Sequence, residues 1–263
     1  MNAIWSCVSV AVGAWILALA GVLVTTPALA RDAGDPIRLV WTEGDVSGFT
    51  SIFAADGTQP IGFVEYSQRR RGDVLDVRRV AWFADGSSDE DTVEARVGKT
   101  LRTTKGRTIL RDTAGRTTVD MRIDVAGGRV TGFYGLDKER MDFDEHGDLP
   151  AGTYFGPLIN LVLKNFDANA EDGRLVFHTV VPTPGPRQID MEIVRKESTT
   201  LLRPGHDVPA VQYVMTPSVN RVLNPLIKLV APETHFFMTA GPPPALARFA
   251  GPRNYAGQEI RIE

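Results

Sequence analysis

Apolar and polar side chains alternate at every second position over most of this chain. The exceptions lie in two stretches where apolar residues recur every three or four positions. A period of two puts successive side chains on opposite faces of a strand, and a period near 3.6 marks one face of a helix. The clearest strand is Thr117 to Val125, where Val119, Met121, Ile123 and Val125 share one face and Asp120, Arg122 and Asp124 the other. Arg187 to Lys196 repeats the pattern, with Ile189, Met191 and Ile193 opposed by Asp190 and Glu192. Arg174 to Val181 is apolar on both faces, as suits a strand covered on both sides.

Turn residues separate these runs at short intervals. Glu43-Gly44-Asp45, Asp56-Gly57, Gly72-Asp73, Asp85-Gly86 and Ala126-Gly127-Gly128 divide strands expected over Ile37 to Thr42, Phe49 to Ala54, Ile61 to Arg71, Val74 to Ala84, Thr92 to Val97 and Arg129 to Gly135. Asp-Gly tolerates the positive φ that a two-residue hairpin demands. Links this short leave no room for crossover helices, so consecutive strands pair antiparallel. Asp172-Gly173 opens a second set of strands, which closes with His235 to Ala240, Ala245 to Ala250 and Gln258 to Glu263.

The first helical stretch is LPAGTYFGPLINLVLKNFD, residues 149–167. Phe155, Leu158, Ile159, Val162 and Phe166 fall on one face, and Asn160, Lys164 and Asn165 on the other. Pro157 suits its first turn. The second runs from an N-cap at Thr216 with Pro217 behind it, through Val219, Val222, Leu223, Leu226, Ile227 and Val230, to Pro232. Pro225 is expected to kink it. About a dozen strands in one flat sheet would leave long exposed edges. The expected fold is therefore mainly β: an antiparallel meander curled into a barrel or half-barrel, with the two amphipathic helices packed on it.

Residues 1–30 carry no charged side chain, and Ala3 to Val24 is nearly continuously apolar before Pro27 and the small-x-small run Ala28-Leu29-Ala30. This is the pattern of a secretory signal cleaved before Arg31. The apolar run is also long enough to span a bilayer, which leaves a retained N-terminal anchor as the alternative. Either way residues 31–263, read as one domain, are expected outside the cytoplasm, in the periplasm. The one cysteine, Cys7, lies inside the apolar run, so the remainder has no disulfide and is held by its core. The net charge of −3, from 29 basic and 32 acidic residues, gives no support to a nucleic-acid partner.

Candidate chemistry is sparse. Asp142-Phe-Asp144-Glu-His146-Gly147 matches the first half of a calcium loop, but His146 and Thr153 stand where ligands are needed, so a solvated acidic loop is the plainer reading. Gly98-Lys99-Thr100 lacks the earlier glycine of a phosphate loop, with Val93 in its place. His146, His178, His206 and His235 never fall at ligand spacing, and no serine sits in a G-x-S-x-G turn. No catalytic residue, metal or cofactor is therefore expected. Arg69, Arg70, Arg71, Arg78 and Arg79 concentrate at one hairpin end, either as a solvated tip or as a contact to an anionic membrane surface, where each basic residue contributes about 1 kcal/mol.

The run Ala84-Asp-Gly-Ser87 after an aromatic strand, residues 149–166, and the ending FAGPRNYAGQEIRIE at 249–263 resemble an uncharacterised family of exported bacterial β-rich domains of unknown function. The likeness spans most of residues 31–263 and brings no catalytic residues. The leading expectation is a binding protein that holds an apolar small molecule or lipid inside the barrel. Its ligand is sought among Phe63, Trp82, Phe133, Phe155, Phe177, Tyr213 and Phe236, with His178 or His235 as a polar handle and one of the helices as a lid. The alternatives are a non-catalytic envelope structural or assembly protein with a solid core and, third, a hydrolytic enzyme.

Overall fold

A computed structural model describes residues 32–183, 185–203, 205–218, 233–254 and 257–263. After the short β1 (Ile37–Arg38), eight strands follow one another in a meander. They are β2 (Val46–Ala54), β3 (Pro60–Arg71), β4 (Val74–Phe83), β5 (Ser88–Val97), β6 (Thr100–Arg111), β7 (Thr117–Asp124), β8 (Arg129–Tyr134) and β9 (Met141–His146). A helical segment intervenes. The chain then forms β10 (Arg174–Thr183), β11 (Gly185–Arg203), β12 (His206–Ser218), β13 (Thr234–Thr239), β14 (Leu246–Pro252) and β15 (Glu259–Ile262). Every pairing between neighbours is antiparallel, as the short turns require.

The order across the sheet runs from β10 to β15, then from β2 to β9, because β15 pairs with β2 through Ile260↔Ala54 and Ile262↔Ile52. The two edges are therefore β9 and β10, the strands that flank the helical segment in sequence. The sheet curls without closing. Between its edges the chain turns inward as Gly156–Leu158, a 3₁₀ turn, and α1 (Ile159–Lys164). One core cluster joins this segment to both arms: Val93, Met121 and Val130 from one side, Phe177, Ile193 and Phe236 from the other. A second, smaller cluster of Ile52, Val64, Ala81 and Ile260 seals the β15–β2 seam.

The expected apolar face of the helix is buried in full: Phe155, Leu158, Ile159, Val162 and Phe166 are all in the core. Its expected polar face is not left to water. Lys164 is buried and ion-paired to Glu43, and Asn165 accepts from the Val40 and Trp41 backbone N–H groups at 2.7 and 2.8 Å. Asn169 grips Arg38 in the same way, accepting from its N–H and donating to its carbonyl. Two asparagines thus strap residues 38–41, expected as strand, across the end of the helix. Tyr154, fully buried, accepts from Ile37 N at 2.8 Å and donates to Leu101 O at 2.7 Å, fixing β1, β6 and the helical segment at one point. The β10 edge is capped where Tyr154 N donates to His178 O and His178 N to Gly152 O.

Three expectations are corrected. Thr216 and Pro217 end strand β12 and do not begin a helix; the remainder of that expected helix, with its Pro225 kink, lies outside the described residues. Among the described residues α1 is the one α-helix. Asp142 to His146 forms edge strand β9 in place of an acidic loop, with Asp142 paired to Arg140 and Asp144 held by Arg129 at 2.8 and 2.6 Å.

Candidate functional site

The inward face of the sheet and the N-terminal turn of the helix do not meet everywhere. Between them lies a cavity of about 560 Å³, within the usual range of small-molecule sites. Phe155, Pro157 and Ile159 wall it on the helix side. Phe177, Met191, Met215 and Phe236 wall it from the second arm, and Val64, Phe249 and Ile262 from the seam. Period two explains this set. Val64 and Tyr66 alternate with the outward Phe63 and Glu65, and Phe177 and Thr179 share the inward face of β10.

One end of the cavity is polar. Arg79, Tyr66, Thr50, Asn160, Arg253 and Asn254 reach it. Arg79 stands on the inward face of β4 between buried Val77 and Ala81, and so not at the hairpin tip with the other arginines. Across the ladder it meets Asp91, which in turn accepts from Thr108 Oγ1 at 2.8 Å. Arg253 reaches Asp89 and Ser87, and its guanidinium lies 3.6 Å from the Phe83 ring centroid. Tyr66 donates to Gln68 Oε1 at 3.0 Å, and burial pushes its hydroxyl pKa up to about 12, so it stays neutral.

Of the aromatic residues expected at a ligand, Phe155, Phe177 and Phe236 are brought together on this wall. Tyr213 is buried elsewhere, edge-on to Phe166 with centroids 4.8 Å apart. Phe63 and Trp82 point outward and are 46% and 41% exposed, forming a ladder with Phe49 at centroid spacings of 6.4 and 6.5 Å. Phe133 lies under the Arg140 guanidinium, 3.7 Å from its centroid. Neither histidine lines the cavity: His178 pairs with Asp190, and His235 contacts Gln212 at 2.9 Å and Glu233. Of the remaining arginines of the β3–β4 hairpin, Arg69, Arg71 and Arg78 stand on the outward face, with Arg78 paired to Glu90 and Arg71 to Asp76. Arg70 has inward parity but lies exposed at the tip, bonded to Gly72 O and Thr42 Oγ1.

The residues that sequence reading missed are Asp89, Asp91 and Arg253, and Arg79 was read as part of the hairpin end and not as an inward residue. A signal existed. Asp89 and Asp91 share strand parity with Val93, Ala95 and Val97, so the inward face of β5 carries two acids that need buried cations. On the opposite face, cross-strand pairs such as Arg107–Asp120, bonded twice at 2.8 and 2.7 Å, satisfy the charges of an open depression over β2–β9. The Arg107 hydrogen bonds hold the Asp120 carboxyl below the usual carboxylate range. Among the described residues no His, Cys, Asp and Glu group has metal-ligand geometry, and no helix is long and apolar enough to cross a membrane.

No family model and no curated protein matches the chain. Among solved structures it is similar to the crystal structure of a β-barrel-like protein of domain of unknown function DUF1849 from Brucella abortus, at 8% identity and a TM-score of 0.44, over 84% of this chain and 95% of that one. The strand pairing by itself establishes what the chain is: a mainly β domain, an antiparallel meander curled around one buried helical segment and not closed.

Proposed function

We propose that this domain is an exported, periplasmic binding protein that holds an apolar small molecule or lipid in the cavity between α1 and the sheet. The observation that carries the reading is the cavity itself. A largely apolar recess of about 560 Å³, half open to solvent, is left between the helical segment and the sheet. Apolar side chains that line an open recess have no packing partner on one side and forfeit those dispersion contacts. A wall of four phenylalanines and two methionines recovers those contacts when an apolar ligand fills it. This favours the carrier reading over a solid structural core. Export is supported by the charge-free apolar residues 1–30 with their small-residue end.

The test is to purify the protein without detergent, extract it with organic solvent, and identify what is released by mass spectrometry. One lipid or apolar metabolite per chain is expected, and the emptied protein should take up an apolar fluorescent dye at one site. A protein that releases nothing and binds no dye refutes the reading.

A further inference from the structure

An arginine on the wall of an apolar cavity ordinarily suggests a ligand carboxylate, since its fork of donors matches that group. The wiring of this cavity argues otherwise. Among the described lining residues the charged ones are Arg79 and Arg253. Arg79 Nε and Nη2 donate to Asp91 Oδ2 at 3.1 and 2.6 Å. Arg253 donates from Nε and Nη2 to the two Asp89 oxygens at 2.9 and 2.7 Å, and from Nη1 to Ser87 Oγ at 2.8 Å. Asp89 and Asp91 are 3% and 6% exposed, so neither carboxylate is screened by solvent. Two partly buried cations, with side chains 29% and 17% exposed, and two buried anions sum to zero. An ionised ligand head brought to this end would lose its water and find no surplus positive charge, and an uncompensated buried charge is strongly disfavoured.

What the polar end does offer is a donor. Arg79 Nη1 bonds to no described residue, whereas all three nitrogens of Arg253 are engaged. The neutral Tyr66 hydroxyl beside it has an oxygen free to accept. Resting on the reading of this cavity as a lipid site, we propose that its ligand is an uncharged lipid with an acceptor oxygen, such as an alcohol or ester. That oxygen is bound at Arg79 Nη1, the chain lies among the phenylalanines, and Asp91 and Asp89 make the site reject ionised fatty acids.

The experiment compares decanol, methyl decanoate and decanoate as displacers of a bound apolar dye at about pH 8, where an ordinary carboxylate is ionised. The two neutral ligands should bind at least tenfold more tightly than decanoate. In Asp91→Asn, which keeps an acceptor for Arg79 and removes the opposing charge, decanoate should gain at least tenfold relative to decanol; thermal melting confirms that the variant is folded. Decanoate binding wild type as tightly as decanol overturns the inference even if the variant does not fold. Failure of all three ligands, with the dye also excluded, overturns the lipid-site reading beneath it.

Discussion

Gly106 gives the sharpest test of how the helical segment is seated. It lies on β6 against the Phe155 ring, and a Cβ built there would fall 1.8 Å from Phe155 Cζ and 2.1 Å from Cε2. Its backbone is not in the left-handed region, so alanine is conformationally permitted. Two effects of Gly106→Ala then oppose each other. Restricting the unfolded chain stabilises by about 0.4–1 kcal/mol. Forcing a methyl into a filled contact costs typically about 1–3 kcal/mol, and a separation of 1.8 Å puts this site toward the upper part of that range. The clash wins, and Gly106→Ala should lose roughly 1–2 kcal/mol, lowering Tm by about 2–4 °C per kcal/mol for a domain of this size. The ring's direction of relief is the cavity it lines, so dye uptake should fall as well. In a Phe155→Leu background the penalty should vanish or reverse, giving a coupling energy of about 1 kcal/mol or more. Denaturant melts of the four proteins in the cycle measure this. A Gly106→Ala protein as stable as wild type, or a penalty unchanged by Phe155→Leu, refutes the contact.

Other perturbations follow from the same structure. Tyr154→Phe removes the partner of both Ile37 N and Leu101 O in a fully buried place, and should cost roughly 1–3 kcal/mol per orphaned group by urea denaturation. Arg253→Met leaves Asp89 buried without its cation and should cost about 3–5 kcal/mol, whereas Arg96→Met, at an exposed pair with Asp73, should cost under about 1 kcal/mol. Because the Asp120 carboxyl titrates below its unfolded value of 3.8, its pair with Arg107 contributes stability above that value, lost as pH falls through the folded pKa; Asp120→Asn should flatten the acid limb of a stability–pH curve. Tyr66 has the opposite sign. Its contribution is full below pH 10.0 and lost as pH rises toward about 12, so Tyr66→Phe should remove one late-titrating tyrosine from the ultraviolet pH curve.

Where one face of a strand is core and the other water, the strand was legible in the sequence. β7 and its turn at 126–128 are the plainest case, since Val119, Met121 and Ile123 are buried and the alternating acids and arginine are not. β6 escaped that reading for a physical reason. A register shift between Glu94 and Ala95 breaks the pairing of β5 with β6, and the buried row of β6 includes Thr103 and is interrupted at Gly106, the position that accommodates Phe155. Local alternation cannot register a residue chosen for a contact made across the core. The cavity was half legible for the same reason. Phe155, Phe177 and Phe236 stand at inward positions of their elements, and Phe63 and Trp82, equally aromatic, stand at outward ones. Aromatic character alone did not separate them; parity with Val64 and Ala81 does. The two buried acids of β5 went unnoticed because a charged residue at an inward position becomes intelligible only with its partner, and Arg253 is far away in sequence.

The seam between β15 and β2 has a consequence for how the molecule is made. Ile52 waits for Ile262, so the strand near the start of the meander finds its second neighbour only after β15 has been synthesised. Until then both arms can form hairpins and pack on the helical segment, but nothing joins them edge to edge, and the apolar side chains of the seam stay accessible to other chains. Contacts this distant along the sequence slow folding to milliseconds or longer. A chain wired in this way gains from staying extended until β15 is available to pair.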